Sequence, residues 1–337
     1  MSIISLAIES SCDETSVAVI KNKRKILANQ VYSQIDVHKK FGGVVPEIAS
    51  RNHVLKISNI VDLALKEAKI SFDDLDFISV TNGPGLVGAI LVGLSYAKAL
   101  SFALDIPLVP VNHIEGHIYS NFLKYKDLTP PFLSLIVSGG HTHLVKVDDY
   151  GKYEVIGRTR DDAAGESFDK VARRLDLGYP GGPIIDKIAK DGDSSKIDFP
   201  KSKMDNYDFS FSGLKTSVLN YLNMKKQKNE KINKANVAAS FQKAVVDVLV
   251  ETSLEVCNEF SFDKLVLAGG VAANSELRQR LLDMGKENNI EVFIPSLKLC
   301  TDNAAMIGCA GAYRFENGIL GSEETIAIPN LEIESFK

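Results

Sequence analysis

In VNHIEGHIYS, residues 111–120, His113 and His117 stand four apart with Glu115 between them. On a helix each residue turns about 100°, so the two imidazoles come round to one face and could ligate a single metal ion, while Glu115 points elsewhere. A peptidase zinc helix, H-E-x-x-H, puts the glutamate directly after the first histidine, where it acts as general base beside the bound water. Here the acid is one residue later, which removes the base from that face and weighs against proteolysis. Two histidines need a third ligand. Asp302 in LCTDNAAMIGCAGAYRF, at the start of an apolar helix rich in small residues, is the candidate, and the same position equally suits a helix cap. Without a third ligand the pair reads as solvated histidines on a surface helix.

A second group of residues could handle an anion. Ser138-Gly139-Gly140, Gly181-Gly182 in GYPGGP and Gly269-Gly270 in LVLAGGVAANSEL are turns near strand ends or helix starts. Glycine lets backbone N–H groups approach a phosphate, and a helix N-terminus favours negative charge. One such turn is only a tight turn, but three point to a nucleotide cleft between two lobes. Neither GxGxxG nor GxxxxGK[ST] occurs, so neither a Rossmann dehydrogenase nor a P-loop enzyme is favoured. Asn274 sits where a helix cap belongs and could also hold a ribose or base edge. The turn of the first hairpin carries Asp13 and Glu14, with Glu9 just before it. Carboxylates repel a phosphate unless a cation bridges them, so this is either part of a metal-assisted site or a solvated acidic turn.

These residues need elements to position them. IISLAIES, the break SCDET and SVAVIKN predict a β-hairpin, and PFLSLIVSGGHTHLVKV, residues 131–147, repeats that shape. Two such units far apart predict an internally duplicated chain. Residues 46–69 are amphipathic and open with Pro46; LDFISVTNGPG reads as a strand ending in a Gly-Pro-Gly turn, and LVGAILVGLSYAKALSFAL as a tightly packed helix. Later come a long helix in ANVAASFQKAVVDVLVETSLEVCNEF, a buried strand DKLVLAGG and a helix NSELRQRLLDMGKEN. We expect lobes at 1–110 plus 305–337 and at 111–304, the second with an inserted subdomain at about 158–232.

The 337 residues, 45% of them hydrophobic, supply a large core, and 39 Lys and Arg against 43 Asp and Glu leave a net charge of −4. No overall basic bias marks a nucleic-acid binder, so any such contact must be local. Lys21, Lys23, Arg24 and Lys25, and Lys225, Lys226, Lys228, Lys231 and Lys234, read as solvated loops, whereas Lys170, Arg173 and Arg174 are better placed to meet a polyanion. Cys12, Cys257, Cys300 and Cys309 form no CxxC pair, which fits a reduced compartment. With no signal-peptide pattern at the start and no uninterrupted membrane-length stretch, the expected location is the cytoplasm.

IESSCDETSVAVI, GGVVPEIASRNH, NGPGLVGAILVG, HIEGH, VSGGHT, GYPGGPIIDKIA, LAGGVAANSELR and CTDNAAM, in this order, closely resemble the TsaD family, tRNA threonylcarbamoyladenosine transferases once called O-sialoglycoprotein endopeptidases. The resemblance spans nearly the whole chain. It implies a duplicated actin-like, sugar-kinase-like α/β fold. The implied activity moves threonylcarbamoyl from threonylcarbamoyl-AMP to the exocyclic amine of the adenosine 3′ of the anticodon, in tRNAs reading codons that begin with A. It also implies a divalent metal, Fe2+ or Zn2+, on His113, His117 and Asp302. Ile136, Val137, Ser138, Gly139, Gly140, Asp169, Gly182, Asp186 and Asn274 would contact substrate or nucleotide, and ATP with Mg2+ is a further expected ligand. Asp13 or Glu14 is the candidate proton acceptor. Expected partners are tRNA, a TsaB-like paralogue docking on 46–69 and the GPGLVG segment, and a TsaE-like ATPase. The rival readings are an actin-like ATPase or nucleotide-dependent scaffold, and a metallopeptidase.

Overall fold

The apolar runs ISLAIE and ETSVAVIK pair antiparallel, from Ile4 opposite Lys21 to Glu9 opposite Ser16, and are buried along almost their whole length. Strands covered on both faces read as near-continuous apolar runs rather than alternating ones. The computed structural model describes residues 2–336. In chain order its strands are β1 (Ile4–Glu9), β2 (Glu14–Lys21), β3 (Lys25–Ser33), β4 (Phe77–Gly83), β5 (Leu108–Asn112), β6 (Phe132–Val137), β7 (Thr142–Asp149), β8 (Lys152–Arg158), β9 (Lys264–Ala268) and β10 (Glu291–Phe293). The α-helices are α1 (Ile35–His38), α2 (Pro46–Ala68), α3 (Val87–Leu104), α4 (His113–Lys124), α5 (Ala164–Arg174), α6 (Gly181–Ala189), α7 (Ser212–Gln227), α8 (Lys234–Glu259), α9 (Ser275–Asn288) and α10 (Ala304–Glu316).

One compact unit comprises residues 1–130, 148–153 and 295–337; the other comprises 131–147 and 154–294. The first holds a sheet ordered β3-β2-β1-β4-β5 and the second a sheet ordered β8-β7-β6-β9-β10. The two orders are the same pattern repeated: an antiparallel hairpin at the centre, then two strands added in parallel. The duplication expected from the two hairpins is thus present in the strand topology. Its expected boundaries differ from those of the compact units: 111–130 and 295–304 belong to the first unit, because α4 packs on β5 and α10.

In the first unit α2 and α3 pack on the sheet and on each other, and α4 and α10 form another packed pair. Close approach of α10 depends on small residues; a Cβ on Gly308 would lie 2.5 Å from Ile20 Cγ1 and 3.0 Å from Ala7 Cβ. Helix α3 is long and apolar enough to cross a membrane by length and composition, although Ser95, Lys98 and Ser101 interrupt it as expected. It buries Ala89, Ile90, Gly93, Leu94 and Ala97 and packs on β4, β1 and α2, which gives it a role as a sheet-covering helix.

In the second unit α6 packs on α8 and α5, and α8 also packs on α9. The stretch 158–232, rich in Gly, Asp and Lys, forms α5 and α6, of 11 and 9 residues, and the longer α7 of 16 residues. All four cysteines are unbridged.

Candidate functional site

Strand β5 ends on Asn112, and that residue starts α4: its Oδ1 accepts from the amides of Ile114 at 2.8 Å and Glu115 at 3.3 Å. The cap fixes His113 as the first helical residue, with His117 one turn on. Their rings lie 4.6 Å apart between centroids, nearly perpendicular at 77°. The Nε2 atoms of His113 and His117 are 3.5 and 3.3 Å from Asp302 Oδ1. One ligand atom from each of the three side chains lies within 4.8 Å of the others, a spacing that suits one metal ion. Asp302 is not the cap of α10; Asn303 fills that role by accepting from Met306 N at 3.2 Å. The neighbouring asparagine therefore sets aside the cap reading of Asp302.

Two observations fit a cation between these groups. His117 is fully buried, and neither ring nitrogen makes a hydrogen bond, the Asp302 contact being poorly aligned for one. Leaving such a group unsatisfied costs about 1–3 kcal/mol. Burial lowers its basicity, so it is held as a neutral donor. His113 is also buried, which opposes its charge, but the anions Asp302 and Glu9 outweigh that and raise its pKa to about 9.

Glu9 is fully buried and supports His113. Its Oε2 lies 3.1 Å from His113 Nδ1 and accepts from Thr81 Oγ1 at 2.5 Å, while Oε1 accepts from Ser11 N at 2.5 Å. Burial alone would raise this carboxyl, but the charge and hydrogen bond of His113 hold it below the usual range. A carboxylate on the far nitrogen of a ligating histidine fixes its orientation and tautomer. Sequence reasoning noted Glu9 only as a nearby acid; its place on the same strand as the hairpin turn was the available signal.

Glu115 faces away from the histidines, as expected, but it is not solvated. It accepts from Tyr153 OH at 2.9 Å and Arg314 Nε at 2.7 Å, and burial raises its carboxyl despite the arginine. Asp13 is buried and Glu14 half-buried. Burial pushes Glu14 well above the usual carboxylate range, reinforced by the charges of Asp13 and Asp302. Unanticipated was His53 of α2, which ties that helix to the acidic turn through Thr15 Oγ1 at 2.8 Å and the carbonyl of Cys12 at 2.9 Å.

In the second unit, Ile136 and Val137 are buried at the end of β6, and Ser138 Oγ accepts from His141 N at 3.1 Å. Asp169 accepts from Gly181 N at 2.6 Å. Asp186 accepts from Ser275, through Oγ at 2.8 Å and N at 3.2 Å, immediately beside Asn274. Asn274 is indeed a cap, accepting from Leu277 N at 2.9 Å, and it also donates to Gln242 Oε1 at 2.8 Å. A Cβ added at Gly139, Gly140, Gly182 or Gly270 would meet no atom within 4 Å, so these backbones border open space.

The basic clusters divide. Arg24 is no solvated hairpin tip: it donates to Tyr313 OH at 2.8 Å and Lys126 O at 2.7 Å and lies over the Phe122 ring at 4.8 Å. Lys170 pairs with Asp162 at 2.7 Å and Glu166 at 2.9 Å, so its charge is already matched within the chain.

Comparison with solved structures supports the fold. Similarity extends to HypF of T. kodakarensis (TM-score 0.65, 16% identity, covering 96% of this chain and 49% of that one). It extends also to (R)-2-hydroxyglutaryl-CoA dehydratase component A of Acidaminococcus fermentans (TM-score 0.55, 13% identity, 93% and 97% covered). Likeness at such low identity shows the shared actin-like α/β fold and no more. The sequence relatives are much nearer. A Clostridioides difficile (strain 630) protein named tRNA N6-adenosine threonylcarbamoyltransferase is 60% identical over 333 residues, covering 98% of both chains. A Clostridium perfringens (strain SM101 / Type A) protein of the same name is 59% identical over 332 residues, again covering 98% of both. Residues 25–309 match the family described as TsaD: tRNA N6-adenosine threonylcarbamoyltransferase, and the chain belongs to that family.

Proposed function

We propose that this chain transfers threonylcarbamoyl from threonylcarbamoyl-AMP to the exocyclic amine of the adenosine 3′ of the anticodon in tRNAs reading codons that begin with A. The observation that carries the reading is the convergence of His113, His117 and Asp302, with Glu9 behind His113, in a chain of this family. Peptidase chemistry is disfavoured because Glu115, its only candidate base on that helix, is committed to Arg314 and Tyr153.

His113, His117 and Asp302 would hold the metal, Fe2+ or Zn2+. When bound, the ion supplies a positive charge that can hold the threonyl carboxylate or polarise the carbamoyl carbonyl. The remaining work belongs to the chain. Ser138, Gly139, Gly140, Gly182 and Asn274 hold the adenylate, the glycines by leaving room for it and Asn274 by an amide already oriented by Gln242. Asp169 and Asp186 position the Gly181 amide and Ser275 beside that space. An aromatic amine is a poor nucleophile, so an activated donor and tight positioning supply most of the rate, with AMP as leaving group. Asp13 or Glu14 of the hairpin turn would accept the amine proton, and burial raises the Glu14 carboxyl well above the usual range.

Partner docking is supported by the apolar residues that α2 and α3 leave exposed: Val54, Leu55 and Leu63 on the first, Val87, Leu91 and Phe102 on the second. Leu55 is 74% exposed and Phe102 80%, unusual for adjacent helices of one chain, and an apolar patch of this kind marks an interaction surface. We assign it to the TsaB-like paralogue, with a TsaE-like ATPase joining the assembly and tRNA as substrate, in the cytoplasm. Incubating the chain with these partners, ATP, donor and unmodified tRNA, then measuring threonylcarbamoyladenosine by nucleoside mass analysis, tests the function. Asp13→Asn and Glu14→Gln variants that both keep full turnover would remove the proton-acceptor role.

A further inference from the structure

The last described residues form no helix or strand, yet from Ile328 to Phe336 they are pinned to the other elements of the first unit at successive points. Ile328 N donates to Asn82 O at 2.8 Å, and Gly85 N donates to Pro329 O at 3.0 Å. The contact at Gly83 is backbone on backbone: a Cβ there would fall 2.0 Å from Ile328 O. Next, the side-chain amide of Asn112 donates to Glu332 O at 3.0 Å and Leu331 O at 3.4 Å. This is the same Asn112 whose Oδ1 caps α4, so its two ends join the tail to the first turn of the helix that carries His113 and His117.

The final residues return to that turn by a second route. Phe336 N donates to Gly151 O at 2.7 Å, and Tyr153 N donates to Ser335 Oγ at 2.8 Å. The Phe336 ring occupies the position where a side chain at residue 151 would stand, since a Cβ on Gly151 would lie 2.1 Å from Phe336 Cδ2. The Arg314 guanidinium lies over that ring at 5.0 Å while its Nε donates to Glu115 at 2.7 Å, and Tyr153 OH donates to the other Glu115 oxygen at 2.9 Å. Residues 112 and 115, flanking His113, are thus both held by groups that the tail holds.

We propose that the C-terminal segment 328–336 is a positioning strap for the metal-ligand helix, fixing the first turn of α4 so that His113 and His117 are set for one ion. The inference rests on the metal reading above. A tail that merely sealed the edge of the sheet would need neither the Asn112 bridge nor the Phe336–Arg314–Glu115 chain. Groups that orient metal ligands typically change metal affinity by about 10–100-fold when removed.

The test is Zn2+ affinity, measured by competition with a chromophoric chelator, alongside metal-free thermal melting. Asn112→Ser keeps an oxygen acceptor for the helix cap and removes the side-chain amide that donates to the tail, leaving only a shorter hydroxyl. Phe336→Ala removes the second hold, and Phe336→Tyr restores the ring. The strap predicts that Asn112→Ser and Phe336→Ala weaken Zn2+ binding by about tenfold or more, that Phe336→Tyr regains most of it, and that α4 amide exchange rises in the two weakened variants. If wild type binds Zn2+ and both variants bind it equally well, the strap is wrong while the metal site stands. If wild type itself takes up neither Zn2+ nor, under anaerobic conditions, Fe2+, the metal reading fails and the strap fails with it.

Discussion

Gly181 and Gly182 are adjacent at the start of α6, and the structure gives alanine opposite consequences at the two positions. A Cβ at Gly181 would lie 2.7 Å from Ala172 Cβ, from Asp169 Cα and from Phe168 O. Two of these are backbone atoms that cannot swing aside, so α6 must move off α5. Overpacking of this kind costs about 1–3 kcal/mol, which lowers a thermal midpoint by about 2 °C or more. At Gly182 the same methyl meets nothing within 4 Å. Glycine to alanine in a helix then gains up to about 1 kcal/mol, so the Gly182→Ala midpoint should stay level or rise. Its methyl would occupy the space assigned to the adenylate, and a loss of about tenfold in affinity, about 1.4 kcal/mol, is expected. Differential scanning fluorimetry with calorimetric titration of AMP or a non-hydrolysable donor analogue reads both quantities. Wild-type AMP affinity in Gly182→Ala would refute the assignment of that open space to the ligand. A midpoint drop matching that of Gly181→Ala would show that the packing argument itself is wrong.

Other consequences follow from single contacts. Glu115→Gln leaves Arg314, whose side chain is 16% exposed, without its anion; breaking a buried pair this way should cost about 3–5 kcal/mol in a denaturant titration. Asp247 is buried among Lys243, Arg280 and Lys201 at 2.7, 2.9 and 3.3 Å. Burial opposes its charge but these cations hold its carboxyl below the usual range. A depressed carboxyl stabilises the fold above its unfolded pKa, about 3.9, and the contribution disappears as pH falls through the lower folded value. Asp247→Asn should therefore be less stable at pH 7 and lose less further stability on acidification, as read from urea midpoints against pH. Leu55→Asp and Leu91→Asp, on exposed faces of α2 and α3, should leave the midpoint of the isolated chain within about 0.5 kcal/mol of wild type and abolish association with the paralogue in analytical ultracentrifugation.

Much of this was legible in the chain because the chemistry is carried by local spacing. Residues four apart on a helix share a face, so His113 and His117 were paired from the sequence, and the displaced Glu115 weighed against the peptidase arrangement. The two hairpins gave the duplication because a buried strand, a polar turn and a returning strand make a recognisable pattern at short range. What could not be read depended on long-range packing. Glu9 looks like any acid at a strand end until β4 brings β1 and β5 into one sheet and its carboxylate reaches His113. Arg24 looks like one of four basic residues at a hairpin tip, yet it reaches Tyr313, far along the chain. Asp302 and Asn303 are adjacent and equally suited to capping, and only the backbone path entering α10 assigns the cap to Asn303. In 158–232 the helices α5 and α6 are only 11 and 9 residues long, too short for a helical period to stand out among the Gly, Asp and Lys of that stretch.

The central claim is that His113, His117 and Asp302 form a metal centre required for tRNA modification. Unmodified tRNA should be incubated with this chain, its TsaB-like and TsaE-like partners, ATP and threonylcarbamoyl-AMP, beside His113→Ala/His117→Ala with matched partner and tRNA binding, and the digested nucleosides weighed. The account predicts the threonylcarbamoyl mass increment on adenosine with wild type and its loss in the double variant. Equal modification by both proteins would contradict the metal centre, and no modification by wild type in a fully assembled, tRNA-bound complex would contradict the transferase reading itself.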